Sequence, residues 1–237
     1  TITKWNDPAI AADNNRTVTT VVYKKDSKGD VVKDKSGNPV VLRKATKKIS
    51  YTLPNQSIKV IFRADKSGTS GNFTAWLSGV APTLWNKPKN DTFVTAFPGN
   101  INDAGNIGRI VGANFSAGVS QLAAATKYSI TFAEVSYGTK YGLKSAAIGN
   151  ASGNFALPTG DATAAFLGSA TVDSKGIFKF DYSTKEAGAY TLGIITYMLG
   201  DSDYKDKAAL PAIKAWANLI TSPACTDLAP DFIAITG

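Results

Sequence analysis

A short apolar segment followed by a polar loop and a helical pattern is the feature that most constrains the fold of this chain. Residues 57–62 have the composition of a compact strand, and residues 63–71 form a polar stretch that contains glycine. In residues 72–78 the large apolar side chains recur at helical spacing. Strand, small-residue loop and helix in this order indicate an α/β fold.

Strand and helix patterns also recur along the rest of the sequence. The pair Asp7-Pro8 predicts the start of a helix, because proline suits the first helical turn. Residues 24–48 predict an exposed β-hairpin insertion with turns at residues 27–30 and 36–39. The other expected elements are a strand at 17–23, a long loop at 97–118, a helix at 117–126, a strand at 127–136, a buried central strand at 190–199 and a helix at 207–220.

The composition excludes several kinds of catalytic and metal site. The 237 residues include no histidine and one cysteine, Cys225. Imidazole-dependent triads and histidine-rich metal sites are therefore excluded, and no disulfide can form within the chain. Asp26, Asp30 and Asp34 recur every fourth residue, but a calcium loop needs closer oxygen spacing and a terminal glutamate. We expect no metal and no other cofactor.

The net charge of +8 is concentrated near the N-terminus. Residues 1–59 carry twelve Lys/Arg against five Asp, whereas the remaining residues carry fourteen Lys/Arg against thirteen Asp/Glu. A nucleic-acid interface needs basic residues arranged with aromatic or recognition-helix features. Here the lysines lie in turn-rich sequence, so we expect a solvated hairpin and no nucleic-acid partner.

Residues 63–70 combine the groups needed to bind a tetrahedral oxyanion. A loop that enters a helix N-terminus offers free backbone N–H groups and the positive end of the helix dipole. Arg63 adds a planar fork that can donate to two oxygens, and Gly68 allows close backbone approach. The candidate ligand-binding residues are Arg63, Asp65, Ser67, Gly68, Thr69 and Ser70.

Asp65 indicates that the bound anion carries a proton. A carboxylate repels a fully deprotonated anion but accepts a hydrogen bond from a ligand hydroxyl. Sulfate has no proton at neutral pH, so Asp65 favours a protonated oxyanion over sulfate. Residue types alone equally allow a second interpretation, in which residues 67–70 cap a helix and Arg63 and Asp65 form an ordinary surface pair.

A hydrolase is the enzymatic alternative. Ser67 or Thr69 would be its nucleophile, but the chain has no histidine base and no paired carboxylates at a useful spacing. Asp65 and Glu134 could act as acid and base only if the fold brings them together. We therefore expect a binding protein and not an enzyme.

A family resemblance lies in the same loop, which reads Arg63-Ala64-Asp65-Lys66-Ser67-Gly68-Thr69-Ser70. It resembles the Arg-x-Asp-Gly-Ser-Gly-Thr-Thr/Ser loop of the phosphate-binding proteins of bacterial phosphate ABC transporters. Lys66 departs from this pattern, because it stands where the family usually has glycine. Further similar stretches are residues 2–10, 73–77, 128–134, 190–199 and 228–230.

The resemblance implies an α/β, periplasmic-binding-protein-like (type II) lobe with a mixed sheet, a β-hairpin insertion and part of a second lobe. Residues 1–189 would form the second lobe, and residues 190–237 would return to an incomplete first lobe. The implied protein is secreted, or lies at the cell surface or in the periplasm, and captures hydrogen phosphate for an ABC transporter permease. In the family the arginine and the Ser-Gly-Thr donors hold inorganic phosphate, and the loop aspartate accepts its proton; these roles fall on Arg63, Ser67, Gly68, Thr69 and Asp65.

One part of the family pattern has no counterpart in this sequence. Family members begin with a further segment that supplies the other wall of the cleft. Without it, a strand at 190–199 would lack neighbours in its sheet. We therefore expect a missing N-terminal segment or self-association to complete the fold. The alternative function is a secreted structural protein derived from this fold, which completes its sheet with another chain or copy.

Overall fold

A computed structural model describes residues 2–37, 39–197, 200–201, 203–222, 224–225 and 232–233. The mixed α/β content predicted from the sequence is confirmed, with both parallel and antiparallel strand pairs. The elements are α1 (Pro8–Asp13), β1 (Thr17–Tyr23), β2 (Val41–Lys48), β3 (Lys59–Arg63), α2 (Gly68–Val80), α3 (Phe93–Ala96), β4 (Ile110–Ala113), α4 (Phe115–Ala125), β5 (Ser129–Ile130), α5 (Val135–Lys140), β6 (Ile148–Gly149), β7 (Phe155–Ala156), α6 (Gly160–Leu167), β8 (Thr171–Val172), β9 (Phe178–Lys179), a 3-10 helix (Lys207–Ala209) and α7 (Leu210–Ile220).

A three-stranded parallel sheet lies at the centre, with the strand order β4-β3-β5. Successive side chains of a strand point to opposite faces, so β3 contributes to two apolar clusters. On one face the fully buried Ile61 packs with Val119 of α4. On the other, Phe62 stacks on Phe93 with ring centroids 4.8 Å apart. Burial on both faces fixes the position of β3 and therefore of the loop that follows it.

The expected exposed hairpin is present and is longer than its lysine-rich part. Strands β1 and β2 pair antiparallel from Thr17 opposite Lys48 to Tyr23 opposite Val41. Gly29 and Gly37 lie at the turns with positive φ, which glycine adopts at little cost. Tyr23 anchors the arm, because it is buried in a cluster with Ala165, Phe166 and Ala189.

The prediction of a long loop at 97–118 is wrong in its last part. Strand β4 and the first turn of α4 both lie there. Sequence periodicity missed β4 because the strand is only four residues long and contains glycine. The contact with β3 explains that glycine: a Cβ on Gly112 would lie 2.9 Å from the Cβ of Ala64 and 3.1 Å from the ring of Phe62. Pairing with β3 therefore decides this strand.

Two other predicted strands are corrected. The strand expected at 127–136 is limited to Ser129–Ile130, and α5 begins at Val135. The central strand expected at 190–199 is wrong for residues 190–197, which form a turn and irregular chain; residues 198 and 199 lie outside the described residues. Its backbone groups bind helices instead, since the N–H of Tyr190 donates to the carbonyl of Ala162. In the described part of the chain, no helix has the length and apolarity needed to cross a bilayer.

Candidate anion-binding site

The candidate site begins where β3 ends and α2 starts. Ser67 has an extended backbone (φ −150°, ψ 134°), and its hydroxyl oxygen accepts a hydrogen bond from the N–H of Thr69 at 3.1 Å. Serine is well suited to this N-cap position because its short side chain reaches the first free N–H groups. The helix begins at Gly68, so the last residues of the predicted loop are its first turn. The loop is thus short and fixed at both ends.

Arg63 is the most firmly held residue of this loop. Its Nε donates to Oδ1 of Asp65 at 2.9 Å, and one terminal nitrogen donates to Oδ2 at 2.6 Å. The other terminal nitrogen donates to Oγ of Ser116 at 2.9 Å. The arginine side chain is only 9% exposed, and that of Asp65 is 20% exposed. Arg63 and Asp65 therefore form a largely buried pair and not the ordinary surface pair of the alternative interpretation.

The guanidinium keeps unused donors in this arrangement. An arginine side chain carries five N–H groups, and the three bonds to Asp65 and Ser116 use three of them. One N–H remains on each terminal nitrogen. A guanidinium N–H can donate to an anion oxygen, so these two groups are candidate donors for a ligand.

The charges of the pair stabilise each other. Hydrogen bonds to Asp65 raise the pKa of Arg63 above its usual value. The same bonds, with a further one from the N–H of Phe115 at 2.8 Å, hold the pKa of the Asp65 carboxyl well below its usual range. Both groups are therefore charged near neutral pH. Each oxygen of Asp65 accepts at least one hydrogen bond within the protein, two at Oδ1 and one at Oδ2.

Thr69 and Gly68 line a cavity of about 480 Å³ together with Glu134. The Thr69 hydroxyl donates to Oε1 of Glu134 at 2.9 Å. Most of the remaining lining is apolar and includes Phe73 and Phe132. The polar end of this cavity is therefore the start of α2, beside the glutamate that precedes α5.

The structure separates the other predicted site residues. Ser70 is fully buried, and its hydroxyl oxygen has no hydrogen-bond partner among the described residues. Lys66 is exposed beside the loop. Asp65 accepts hydrogen bonds from Arg63, whereas Glu134 accepts one from Thr69. No group of three or more His, Cys, Asp or Glu side chains in the described ranges could hold a metal ion.

The contribution of β4 and α4 to the site was not predicted from the sequence. Ser116 accepts from Arg63, and the N–H of Phe115 donates to Asp65. Both follow Ala113, which lies opposite Arg63 in the parallel sheet. The carboxyl ends of parallel strands meet at one edge of a sheet, so these residues come together once β4 is recognised as a strand. Phe115 has a positive φ of 62°, which marks a strained backbone at this contact.

Comparison with known proteins identifies the fold family. The family model for a PBP superfamily domain matches residues 1–224. The chain belongs to the PBP superfamily. The PBP-like fold and the resemblance to phosphate-binding proteins expected from the loop are therefore confirmed.

Several curated relatives of this PBP-superfamily chain are named phosphate-binding proteins. It is 28% identical over 229 residues to phosphate-binding protein PstS2 of Mycobacterium bovis (strain BCG), which is 94% of this chain and 50% of the relative. It is 28% identical over 221 residues to PstS 3 of Mycobacterium tuberculosis, covering 91% and 47%. With PstS of Methanocaldococcus jannaschii it shares 31% identity over 118 residues, covering 50% and 29%. The chain spans about half the length of the first relatives, whose names describe binding and not catalysis.

Proposed function

We propose that this chain is the phosphate-holding part of a solute-binding protein that works outside the cytoplasmic membrane, at the cell surface or in the periplasm. It captures inorganic phosphate as hydrogen phosphate and delivers it to the permease of an ABC transporter, without catalysing a reaction. The similarity to proteins named as phosphate-binding supports this proposal. The direct ligands would be Arg63, Gly68 and Thr69, with Ser67 and Ser70 shaping the helix turn and Asp65 holding the arginine.

The observation that carries the proposal is the fixed position of Arg63. Its side chain is held by hydrogen bonds to Asp65 and Ser116, and two of its N–H groups remain for a ligand. Ordering a free arginine on binding costs about 0.5–1.5 kcal/mol, and this arrangement removes much of that cost. Arginine also pairs well with a tetrahedral anion because its fork donates to two oxygens.

The start of α2 supplies the second attraction for an anion. The helix has thirteen residues, so its dipole places partial positive charge at Gly68 and Thr69. The exposed Lys66 adds a full positive charge beside them. The Thr69 N–H already donates to the Ser67 hydroxyl, so the backbone donor that would meet a phosphate oxygen is the N–H of Gly68.

A complete cleft requires a second wall. We propose that residues 1–189 form one lobe and that residues 190–237 return toward the other, whose remaining part comes from an N-terminal segment or another copy. Hinge closure of two lobes would then enclose the ligand. The apolar lining of the cavity, which includes Leu192 and Ile194, supports the view that further chain packs there.

Calorimetric titration of the chain with phosphate tests the proposal. We expect binding, and we expect Arg63→Lys to weaken it at least about tenfold, because lysine keeps the charge but loses the fork. Arg43→Lys is the matched control, since Arg43 lies on the exposed strand β2. A folded chain that binds no phosphate, or equal affinities for the two variants, would contradict the proposal.

Assembly through an exposed apolar face is a second candidate function. Trp216 and Leu219 lie three residues apart on α7, on one side of the helix, and are 52% and 51% exposed. A secreted structural relative of this fold would bury that face against another copy. Light scattering tests it: a stable oligomer that Trp216→Lys dissociates, in a chain that binds no phosphate, would favour this function over transport.

A further inference from the structure

Most of the net charge of the protein lies on the hairpin arm, residues 17–48, which comprises β1, β2 and the segment between them. The arm carries nine Lys/Arg against three Asp, a net charge of +6 out of the total of +8. All three aspartates precede β2, and the next acidic residue after Asp34 is Asp65. The charged side chains of β2 are therefore all basic.

The lysines of β2 have no carboxylate close to them. Lys44, Lys47 and Lys48 are all exposed. In the strand pair they lie opposite uncharged residues of β1, which are Val21, Val18 and Thr17. Opposite charges on neighbouring strands would stabilise such lysines, but none of the three forms an ion pair within the described ranges. Their charges are thus available to a partner.

The backbone that carries these lysines is held in place. Tyr23, at the end of β1, is buried in the cluster with Phe166 of α6. The ammonium of Lys25 lies 3.1 Å from Oδ2 of Asp161, also on α6. Two separate contacts therefore join the arm to the same helix. A partner that binds along β2 has to order only side chains and not the strand, which lowers the cost of binding.

The lysines form a line of charge along one strand edge. Successive side chains of a strand point to opposite faces, so Lys44 and Lys48 share one face and Lys47 lies on the other. Lys44 and Lys48 are about 13 Å apart along the strand. Strand β2 pairs only with β1 among the described strands, so its outer edge is open. An elongated partner can follow this edge, whereas a flat surface would meet one face only.

The composition of the arm narrows the class of partner. Residues 24–48 contain no Phe, Tyr or Trp. Proteins that bind single-stranded nucleic acid stack bases on aromatic side chains, and segments that lie on a bilayer insert aromatic or large apolar ones. The arm provides charge without these groups, which suits a polymer recognised by its charge alone.

We propose that the hairpin arm binds a linear anionic polymer of high charge density, which lies along β2 and contacts Lys44, Lys47 and Lys48. Such a polymer holds condensed counterions, and their release by the lysines drives binding. This interaction does not depend on the loop at Arg63 or on the proposed transport function. Lysines on an open edge also prevent another strand from pairing there, a role that needs no partner and that the test separates from binding.

The test measures the binding of inorganic polyphosphate at several salt concentrations. The variant replaces three lysines of β2 with glutamine, Lys44→Gln, Lys47→Gln and Lys48→Gln. We expect its affinity to fall about tenfold or more, and the slope of log affinity against log salt to become shallower by about 2. Titration with inorganic phosphate should give the same result as for the unmodified chain, because the loop at Arg63 is unchanged.

The matched control removes the same charge from exposed lysines outside the arm, through Lys127→Gln, Lys144→Gln and Lys175→Gln. It should leave the salt slope of polyphosphate binding unchanged. Equal losses in the two triple variants would overturn the proposal, because net charge alone would then explain binding. Unchanged polyphosphate affinity in a β2 variant that self-associates would also overturn it and assign the lysines to protection of the edge.

Two measurements on the unmodified chain keep the proposal testable if the β2 variant does not fold. A salt slope near zero for polyphosphate would overturn it, since counterion release requires a steep one. Tighter binding of single-stranded DNA, or of vesicles of anionic phospholipid, than of polyphosphate would overturn the class of partner. Binding of polyphosphate by a chain that does not bind inorganic phosphate would support this inference while contradicting the proposed function.

Discussion

Replacing Asp65 with asparagine should destabilise the chain far more than the same change at an exposed ion pair. The side chains of Arg63 and Asp65 are 9% and 20% exposed, and three hydrogen bonds to the carboxylate hold the pair and Phe115 together. Removing one partner of a buried pair costs about 3–5 kcal/mol, because the other charge stays buried. The asparagine oxygen can still accept one bond, and a fifth of the aspartate is exposed. We therefore expect a loss of about 2–3 kcal/mol.

Urea unfolding followed by circular dichroism measures this loss. With an m-value of about 2–3 kcal/mol/M, the midpoint of Asp65→Asn should fall by about 1 M. Asp203→Asn is the matched control, because Asp203 and Lys207 form a pair whose side chains are 86% and 65% exposed. Such pairs contribute less than about 1 kcal/mol. Equal shifts for the two variants would refute the view that the pair is held by burial.

The pH dependence gives an independent check on the same pair. The folded-state pKa of Asp65 is lowered, so its contribution is fully present above the ordinary aspartate pKa of about 4 and is lost as the pH falls through the folded-state value. The difference in unfolding free energy between the unmodified chain and Asp65→Asn should therefore shrink below about pH 4. A difference that stays constant into acid would contradict the ionic nature of the contact.

Three further predictions concern the core. Ile61→Ala should lower the free energy of unfolding by about 2–5 kcal/mol, because Ile61 is fully buried. Leu84→Ala, at an 81% exposed site, should change it by less than about 0.5 kcal/mol, and denaturant midpoints measure both changes. Gly112→Ala should cost about 1–3 kcal/mol by crowding β3. Gly118→Ala in helix α4 should not destabilise, because its Cβ would meet only the Cβ of Ala113, at an ordinary contact distance of 3.8 Å; thermal melts compare the two variants. Burial raises the pKa of Tyr23 to about 12. The stabilising contribution of the neutral phenol is therefore fully present below the ordinary tyrosine pKa of about 10 and is lost as the pH rises toward 12. Tyr23→Phe should reduce this alkaline loss of stability, as measured by urea unfolding at increasing pH.

The local order of strand, loop and helix was readable from the sequence because it depends on nearby residues. Apolar side chains suited to a strand, serine at an N-cap and glycine at the first helical turn are short-range features. The loop pattern therefore indicated both an anion site and the family, and the family match confirms the second. The role of each site residue stays a prediction.

The missed elements depended on contacts between distant parts of the chain. Strand β4 has four residues with a glycine, so its own pattern is weak, and pairing with β3 determines it. The segment at 190–197 shows the opposite case. Its apolar, β-branched composition predicts a strand, but a strand forms only where another strand can pair with it. The sequence carries the propensity, and the tertiary structure decides whether a partner exists.

The sequence by itself determined the fold family and the position of the candidate loop, since both are written in contiguous residues. Only the tertiary structure decided which groups form hydrogen bonds with the charged side chains of the site. It placed Ser116 and the N–H of Phe115 beside Arg63 and Asp65, across a parallel strand pair. It also brought Glu134 to Thr69, 65 residues away in the chain. Hydrogen-bond direction and burial depend on such long-range contacts, which no local sequence pattern specifies.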